Sequence, residues 1–460
     1  MTKTFTQFDD FALEKMALTK LPALCFALIQ EGDVVHQKTM GFRDLKTRES
    51  PTPKTLMGLG SVTKVFTSLA IMQLHERGQL DIGDRVSQHV ALPFSEDLDI
   101  RIWHLLTHSS GLPGLGFSES KLSARWFMHG FPVNSLEDLL TFMQGAEDWI
   151  QTSPGARWFY LNEGYILLGA IIEKVTGQRY ADYVTENILK PAGMDRTYYD
   201  REKVEAERDV ATQYMLDRDN NYLLGANLYG NIPAAGGLVS NLEDMVTFTK
   251  MFIGQGSAPN DTSIITPETL GSMREPQVKL PQAQAPEFGE GDEAYHQSYG
   301  FHVTENFFGQ TVVGHGGGVM GGTTYMAFIP EKNAGVVLLS NGHGYPMAQL
   351  AMYGLSLLLG EDPEELPFMR SEGMLGELVG SYESFRGTMA ASVHKNGDFL
   401  ELRMHFKHET RVTPLVPFNL GERKRLFLTF SGARRRMVEF RITGDTVELI
   451  SDRYKFRRRQ

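Results

Sequence analysis

The sequence predicts an α+β fold, an antiparallel sheet flanked by helices with a separate helical lobe, followed by an all-β antiparallel barrel. Three observations predict it. Short apolar runs suited to strands stand at both ends of the region before residue 360 and bracket a mostly helical middle. That middle carries long helical patterns, "KVFTSLAIMQLHERG" and "EGYILLGAIIEKVTG", each closed by a glycine. From residue 371 the pattern changes to period two with tight turns. At 460 residues the chain is long enough for more than one domain.

Taken in order, "LPALCFALIQ" reads as a buried strand rather than a targeting segment. It follows an acidic pair, its apolar run is short, and no small-residue cleavage site comes after it. The turn "EGD" leads into a second strand, "VVHQKTMGF". The sole cysteine, Cys25, lies in the first of these strands as a small buried residue, and no intrachain disulfide is possible. The late runs "QTVVGHGGG", "TTYMAFIP" and "AGVVLLSNG" complete the sheet from the other end of the domain. A site between sheet and helical lobe is the expected geometry. The Pro-, Gly- and Gln-rich stretch from Glu275 to Gln297 reads as a long surface loop at the mouth of that site.

"GEDPEELPFMRSEG", residues 360–373, marks the boundary between domains 1–365 and 371–460. In the second, "FLELRM" sets Leu400, Leu402 and Met404 on one face, and "VEFRI" aligns Val438, Phe440 and Ile442. "KNGD" and "TGDT" are hairpin turns. Charge divides at the same place. Residues 371–460 hold 17 Lys and Arg against 11 Asp and Glu, leaving the first 370 residues at −17 within a total of −11. That overall charge speaks against a nucleic-acid partner. No run approaches the length of a membrane span, so a cytoplasmic protein is expected. The basic module either docks on an acidic catalytic face, in a homo-oligomer with the barrel near a neighbouring active site, or is simply a solvated surface.

The chemistry begins at "GLGSVTKVFTSLA". A capping box would place Glu or Gln three residues after Ser61. Lys64 stands there instead, opposing the positive end of the helix dipole by roughly 0.3–1 kcal/mol. Residues three apart share a helix face, so Lys64 can sit beside the Ser61 hydroxyl. The dipole favours its neutral form, which can take the serine proton. Alone, Ser-x-x-Lys is common by chance.

"RWFYLNEGYILLG" puts Tyr160 and Asn162 two apart before a helix, with their side chains on one side if the segment is extended. A phenol can relay protons and an amide can hold a carbonyl. The competing reading makes Asn162 a helix cap, with Glu163 favourable in the first turn and Tyr160 in the core. Trp158 and Phe159 read as core or pocket wall. "VVGHGGGVMGG" supplies His315 as donor and titratable group, and glycines at 316–318 that permit close backbone approach. Gly316, Gly318 and Gly321 also satisfy G-x-G-x-x-G, but a strand follows and no acidic residue stands at the ribose spacing. "HGGG" matches an oxyanion motif of lipases, yet the chain has no G-x-S-x-G elbow.

With these segments in order, the chain resembles the serine β-lactamase and penicillin-binding-protein superfamily. It is similar above all to the class C β-lactamase-like, CubicO-type group of D-aminopeptidases, carboxypeptidases and esterases. The resemblance covers roughly residues 10–360, and "LLTHSSGLPG" and "AAGGLVSNLEDM" are further segments typical of the group. It implies Ser61 as nucleophile, Lys64 and Tyr160 as proton carriers, and Asn162, His315 and Gly317 as substrate-binding residues. It also implies an oxyanion hole from the N–H groups of Ser61 and Gly318. His315 stands where β-lactamases carry a lysine, which weakens the case for penicillin hydrolysis. His108 reads as a loop-stabilising hydrogen bond rather than a catalytic group. By position and alternation, the C-terminal domain resembles the lipocalin-like barrel of some peptidases in the group.

The expected function is a serine peptidase on small peptides with a D-amino-acid preference. A promiscuous esterase or weak β-lactamase is the first alternative, and a non-catalytic assembly or penicillin-sensing protein the second. No cofactor is implied, and no metal motif such as H-E-x-x-H is present.

Overall fold

A computed structural model describes residues 5–94, 98–117, 135–225, 233–281, 295–344, 346–397, 399–431 and 434–459. The chain divides into two compact units, Met1–Asp362 and Pro363–Gln460.

In chain order the strands of the first unit are β1 (Ala23–Gln30), β2 (Asp33–Gly41), β3 (Met57–Gly58), β4 (Tyr214–Leu216), β5 (Tyr222–Leu224), β6 (Val239–Ser240), β7 (Val278–Lys279), β8 (Tyr295–Gln297), β9 (His302–Phe307), β10 (Gln310–Val319), β11 (Gly322–Ile329) and β12 (Ala334–Ser340). Eight of them form an antiparallel sheet in the order β2-β1-β12-β11-β10-β9-β8-β7, so both ends of the unit contribute. β1 is buried almost throughout because it lies between β2 and β12 with packing on both faces, which is why it reads as a continuous apolar run. Behind the sheet, the helix Thr63–Glu76 is buried from Thr63 to Leu74, and its Phe66 ring stacks on Phe248 at 3.8 Å. A helix buried all round belongs to the centre of a large core.

The predicted loop Glu275–Gln297 is not a loop at its ends. Val278 and Lys279 pair with Gln297 and His296, extending the sheet by two short strands. Two- and three-residue strands offer too few positions for alternation to show. The interior of the stretch, 282–294, lies outside the described residues.

In the second unit the strands are β13 (Gly380–Ser384), β14 (Ala390–Asn396), β15 (Phe399–His405), β16 (Thr410–Leu420), β17 (Lys424–Ser431), β18 (Arg434–Thr443), β19 (Thr446–Ser451) and β20 (Tyr454–Arg458). They close into an antiparallel barrel, with β13 pairing both β14 and β20. Closure leaves no unpaired sheet edge. Leu400, Leu402, Val438 and Phe440 fill the interior as the alternation predicts, with Tyr382, Leu415, Phe427, Leu449 and Phe456. Arg425 is the one buried charge in this interior among the described residues, bonded to the Met374 and Gly421 carbonyls and the Glu377 carboxylate.

Candidate active site

Ser61 occupies a single 3-10 turn, Gly60–Val62, entered from β3 and followed at once by the helix Thr63–Glu76. No side chain caps either start, so Ser61 is not used as a cap. β3 pairs with β6, and the Leu59 N–H donates to the Leu238 carbonyl, which fixes the turn from beneath.

Lys64 is fully buried in the first helical turn. Its Nζ lies 3.2 Å from Ser61 Oγ, 2.8 Å from Asn162 Oδ1 and 2.7 Å from the Ala235 carbonyl oxygen. Three donors of an ammonium match three partners. The partners are not equivalent: a carbonyl oxygen can only accept, whereas the serine hydroxyl can also donate. A neutral Lys64 would keep two N–H bonds to Asn162 and Ala235 and turn its lone pair toward the Ser61 proton. The Tyr160 ring completes the group, its centroid 4.9 Å from Lys64 Nζ. Ser61, Lys64, Tyr160 and Asn162, spread over a hundred residues of chain, therefore meet in one place.

The alternative reading of Asn162 fails. It is the first residue of the helix Asn162–Thr176, Leu161 holds the cap position, and no side chain caps the helix. Glu163 does stand in the first turn, as that reading expected, and it also accepts the Phe117 N–H at 2.8 Å. Trp158 is buried against Val278, Leu280 and Tyr295, and Phe159 is half-buried.

β10 brings in the glycines. A Cβ on Gly317 would stand 2.0 Å from the Leu59 carbonyl oxygen, and one on Gly60 would stand 2.7 Å from the Gly318 nitrogen. Only glycine permits this approach, which sets the Gly318 backbone beside the residue preceding Ser61. Thr324 on β11 donates to the Leu59 carbonyl at 2.8 Å and holds the contact. On one side β10 pairs with β11 along Val313–Val319; on the other, β9 reaches only Gln310–Gly314. From His315 to Val319 that second edge has no strand partner among the described residues.

His315 is buried, and its Nδ1–H donates to the Gly316 carbonyl at 2.6 Å. Its ring stacks on His302, with centroids 5.0 Å apart. Burial, reinforced by His302 and Lys64, pushes its pKa well below the usual value. His302 is likewise lowered by burial, to about 4, and bonds the Tyr295 hydroxyl through Nδ1. His315 is therefore a neutral imidazole at ordinary pH. Cys25 is no competing nucleophile, since burial and then Asp209 push its thiol up to about 12.

Two contributors were not assigned from sequence. The Ala235 carbonyl sits inside the quoted "AAGG", but a main-chain acceptor has no residue signature. His302 reaches His315 only through the pairing of β9 with β10, which no spacing announces.

A family model described as Beta-lactamase matches residues 8–359, and one described as Pab87 octamerisation domain matches residues 363–457. The chain is similar to the octameric penicillin-binding protein homologue from Pyrococcus abyssi, with 39% identity and a TM-score of 0.87 over 98% of this chain and 99% of that one. A penicillin binding protein from Bacillus halodurans, 24% identical, shares the fold with a TM-score of 0.59 over 75% of this chain and 98% of that one. Penicillin-binding protein 4* of Bacillus subtilis is 33% identical over 180 residues, which is 38% of each chain. Protein flp of Staphylococcus aureus is 28% identical over 242 residues, 52% of this chain and 44% of that protein. The chain thus spans less than half the length of these curated relatives.

Proposed function

The chain belongs to the beta-lactamase family, which points to a serine hydrolase, and on that premise we propose a peptidase that works through a Ser61 acyl-enzyme on small peptides. The observation that carries the reading is the set of three contacts made by Lys64, in which Ser61 alone has a proton to give. In this reading Lys64 accepts that proton as Ser61 Oγ attacks the substrate carbonyl. The N–H groups of Ser61 and Gly318 receive the oxyanion. Tyr160 relays the proton held by Lys64 to the leaving amine, which leaves both groups in their starting states, and water releases the acyl group in a second step. Asn162 bridges Lys64 and the substrate amide.

The neutral His315 bears on substrate class. It offers no permanent cation for a carboxylate, which supports peptide and ester substrates over penicillins. A preference for D-amino acids near the scissile bond is part of the proposal, and ester hydrolysis by the same site is the second reading. A screen of L- and D-configured dipeptides and p-nitrophenyl esters against wild type and Ser61→Ala tests both. Turnover lost in Ser61→Ala, together with mass-spectrometric capture of acylated Ser61, is expected. Full activity in Ser61→Ala would end the proposal.

The octamerisation-domain match and the octameric neighbour support a homo-oligomer, and we infer that the second unit makes its contacts. Val416, Leu428 and Met437 stand directly opposite one another across β16, β17 and β18, with exposed Phe418 and Phe430 on the same strands. An apolar row on the outside of a barrel is suited to pairing with another copy. Phe418→Glu with Met437→Glu is expected to lower the assembly mass by sedimentation; an unchanged mass would place the contact elsewhere.

A further inference from the structure

"LLTHSSGLPG", residues 105–114, has no part in the mechanism above, yet its backbone is fastened along the segment that carries Tyr160 and Asn162. The Gly111 carbonyl accepts the Gln151 N–H, the Ser109 carbonyl accepts the Gly155 N–H, and the His108 carbonyl accepts the Phe159 N–H at 2.7 Å. The segment from Gln151 to Leu161 has no helix or strand of its own, so its N–H groups depend on such partners. At Leu161 the partner becomes a side chain: His108 Nδ1 accepts the Leu161 N–H at 3.0 Å. Residue 108 alone therefore holds the amides on both sides of Tyr160. Its ring also lies near the Tyr160 ring, with centroids 4.3 Å apart, and near the Tyr165 ring at 5.0 Å. His108 adopts a φ of +55°, uncommon for a side chain of this size. Strain of this kind points to a conformation that the surroundings require.

We propose that His108 is a positioning residue, whose carbonyl and Nδ1 grip the backbone at Phe159 and Leu161 and so aim Tyr160 and Asn162 at Lys64. With Nδ1 accepting, the neutral ring carries its hydrogen on Nε2, and that atom is buried with no hydrogen-bond partner among the described residues. The working atom is thus Nδ1, turned toward the main chain, and not the nitrogen a proton shuttle would present. Accepting through Nδ1 requires the neutral ring. Burial first, then Lys64, His315 and His302, keeps it neutral by pushing its pKa well down.

The inference rests on the acyl-enzyme reading, and its test separates the two. In a side-chain overlay, Asn Oδ1 falls near the place of Nδ1, and Asn tolerates positive φ; Gln reaches the place of Nε2. His108→Asn, His108→Gln and His108→Ala are compared in the full chain by the p-nitrophenol burst from a p-nitrophenyl ester, by kcat and KM, and by melting temperature. His108→Gln and His108→Ala are expected to lose about 100-fold in acylation rate and kcat with KM little changed, the scale of a small misplacement of catalytic groups. His108→Asn is expected to recover most of that loss. Should His108→Ala not fold, the contrast between Asn and Gln decides. Rescue by Gln and not Asn, or equal activity in the two, overturns the proposal while leaving Ser61 intact as nucleophile. Full activity in a parallel Ser61→Ala would instead remove the reading beneath it.

Discussion

β15 in the barrel, seven residues long, and β10 in the first unit, ten residues long, are strands with opposite logic. Along β15, Leu400 and Leu402 point inward, Glu401 and Arg403 pair on the outside, and both neighbours are present along most of its length. Along β10, three consecutive glycines replace side chains, and among the described residues a buried histidine has no partner for Nε2 and one edge has no strand beyond Gly314. Local propensity, pattern and polar satisfaction agree in the first strand and disagree in the second. Such disagreement concentrates where a structure has something other than stability to supply.

The largest effect that could break this contrast is at Lys64. Lys64→Met should abolish acylation, by at least ~10³-fold on the scale seen when an activating group is removed. Its melting temperature should change less than that of Phe427→Ala, a truncation in the barrel core that should cost about 3–5 kcal/mol. Burst kinetics and thermal melts of both variants give the answer. If Lys64→Met unfolds the chain as readily as Phe427→Ala, the buried lysine is part of the stability of the fold after all.

Next in size is a pair of neighbours on β10. An alanine Cβ at Gly317 meets the Leu59 carbonyl oxygen at 2.0 Å, whereas at Gly318 nothing lies within 4 Å. Gly317→Ala must shift the backbone leading into Ser61 and should lower kcat/KM by about 100-fold. Gly318→Ala should fold as the wild type does, with any loss confined to substrate binding. Equal melting temperatures and equal rates would mean that the close approach has no consequence.

The smallest effect is on stability and follows from the histidines. His302 has a folded pKa of about 4 against an ordinary 6.5, and burial lowers His104, His108 and His315 as well. Between these values the unfolded chain binds more protons than the folded one, so stability rises with pH. It is fully present above about 6.5 and lost as pH falls toward 4. Thermal melts between pH 7.5 and 4 should show the first unit weakening through that window, and His302→Gln should flatten the slope. A melting temperature independent of pH there would show that the rings are not held neutral.

Legibility followed the same division. The barrel could be read because burial in a closed sheet imposes period two on "FLELRM" and "VEFRI", and "TGDT" turns the chain between β18 and β19. The convergence of Ser61, Lys64, Tyr160 and Asn162 could be expected because the chemistry proposed for them would require particular side chains at fixed spacings. Main-chain groups left no such mark: the Ala235 carbonyl and the open edge of β10 depend on register and packing alone. The short strands β7 and β8 at the end of the sheet are not legible, because two or three residues cannot display alternation. His108 makes the loop hydrogen bond that the sequence suggests; what the sequence does not show is that its acceptor faces the amide between Tyr160 and Asn162.

The rim of β10 from His315 to Val319, without a strand partner among the described residues, has a cost as well as a use. The Gly316 and Val319 carbonyls are already engaged by His315 Nδ1 and His343 Nε2, but a strand edge without a partner can still pair with an extended backbone, including that of another copy. Here the exposed run is short and rich in glycine, a poor former of lasting β-ladders. Visitors should therefore bind briefly and leave, which suits turnover and discourages fibre growth.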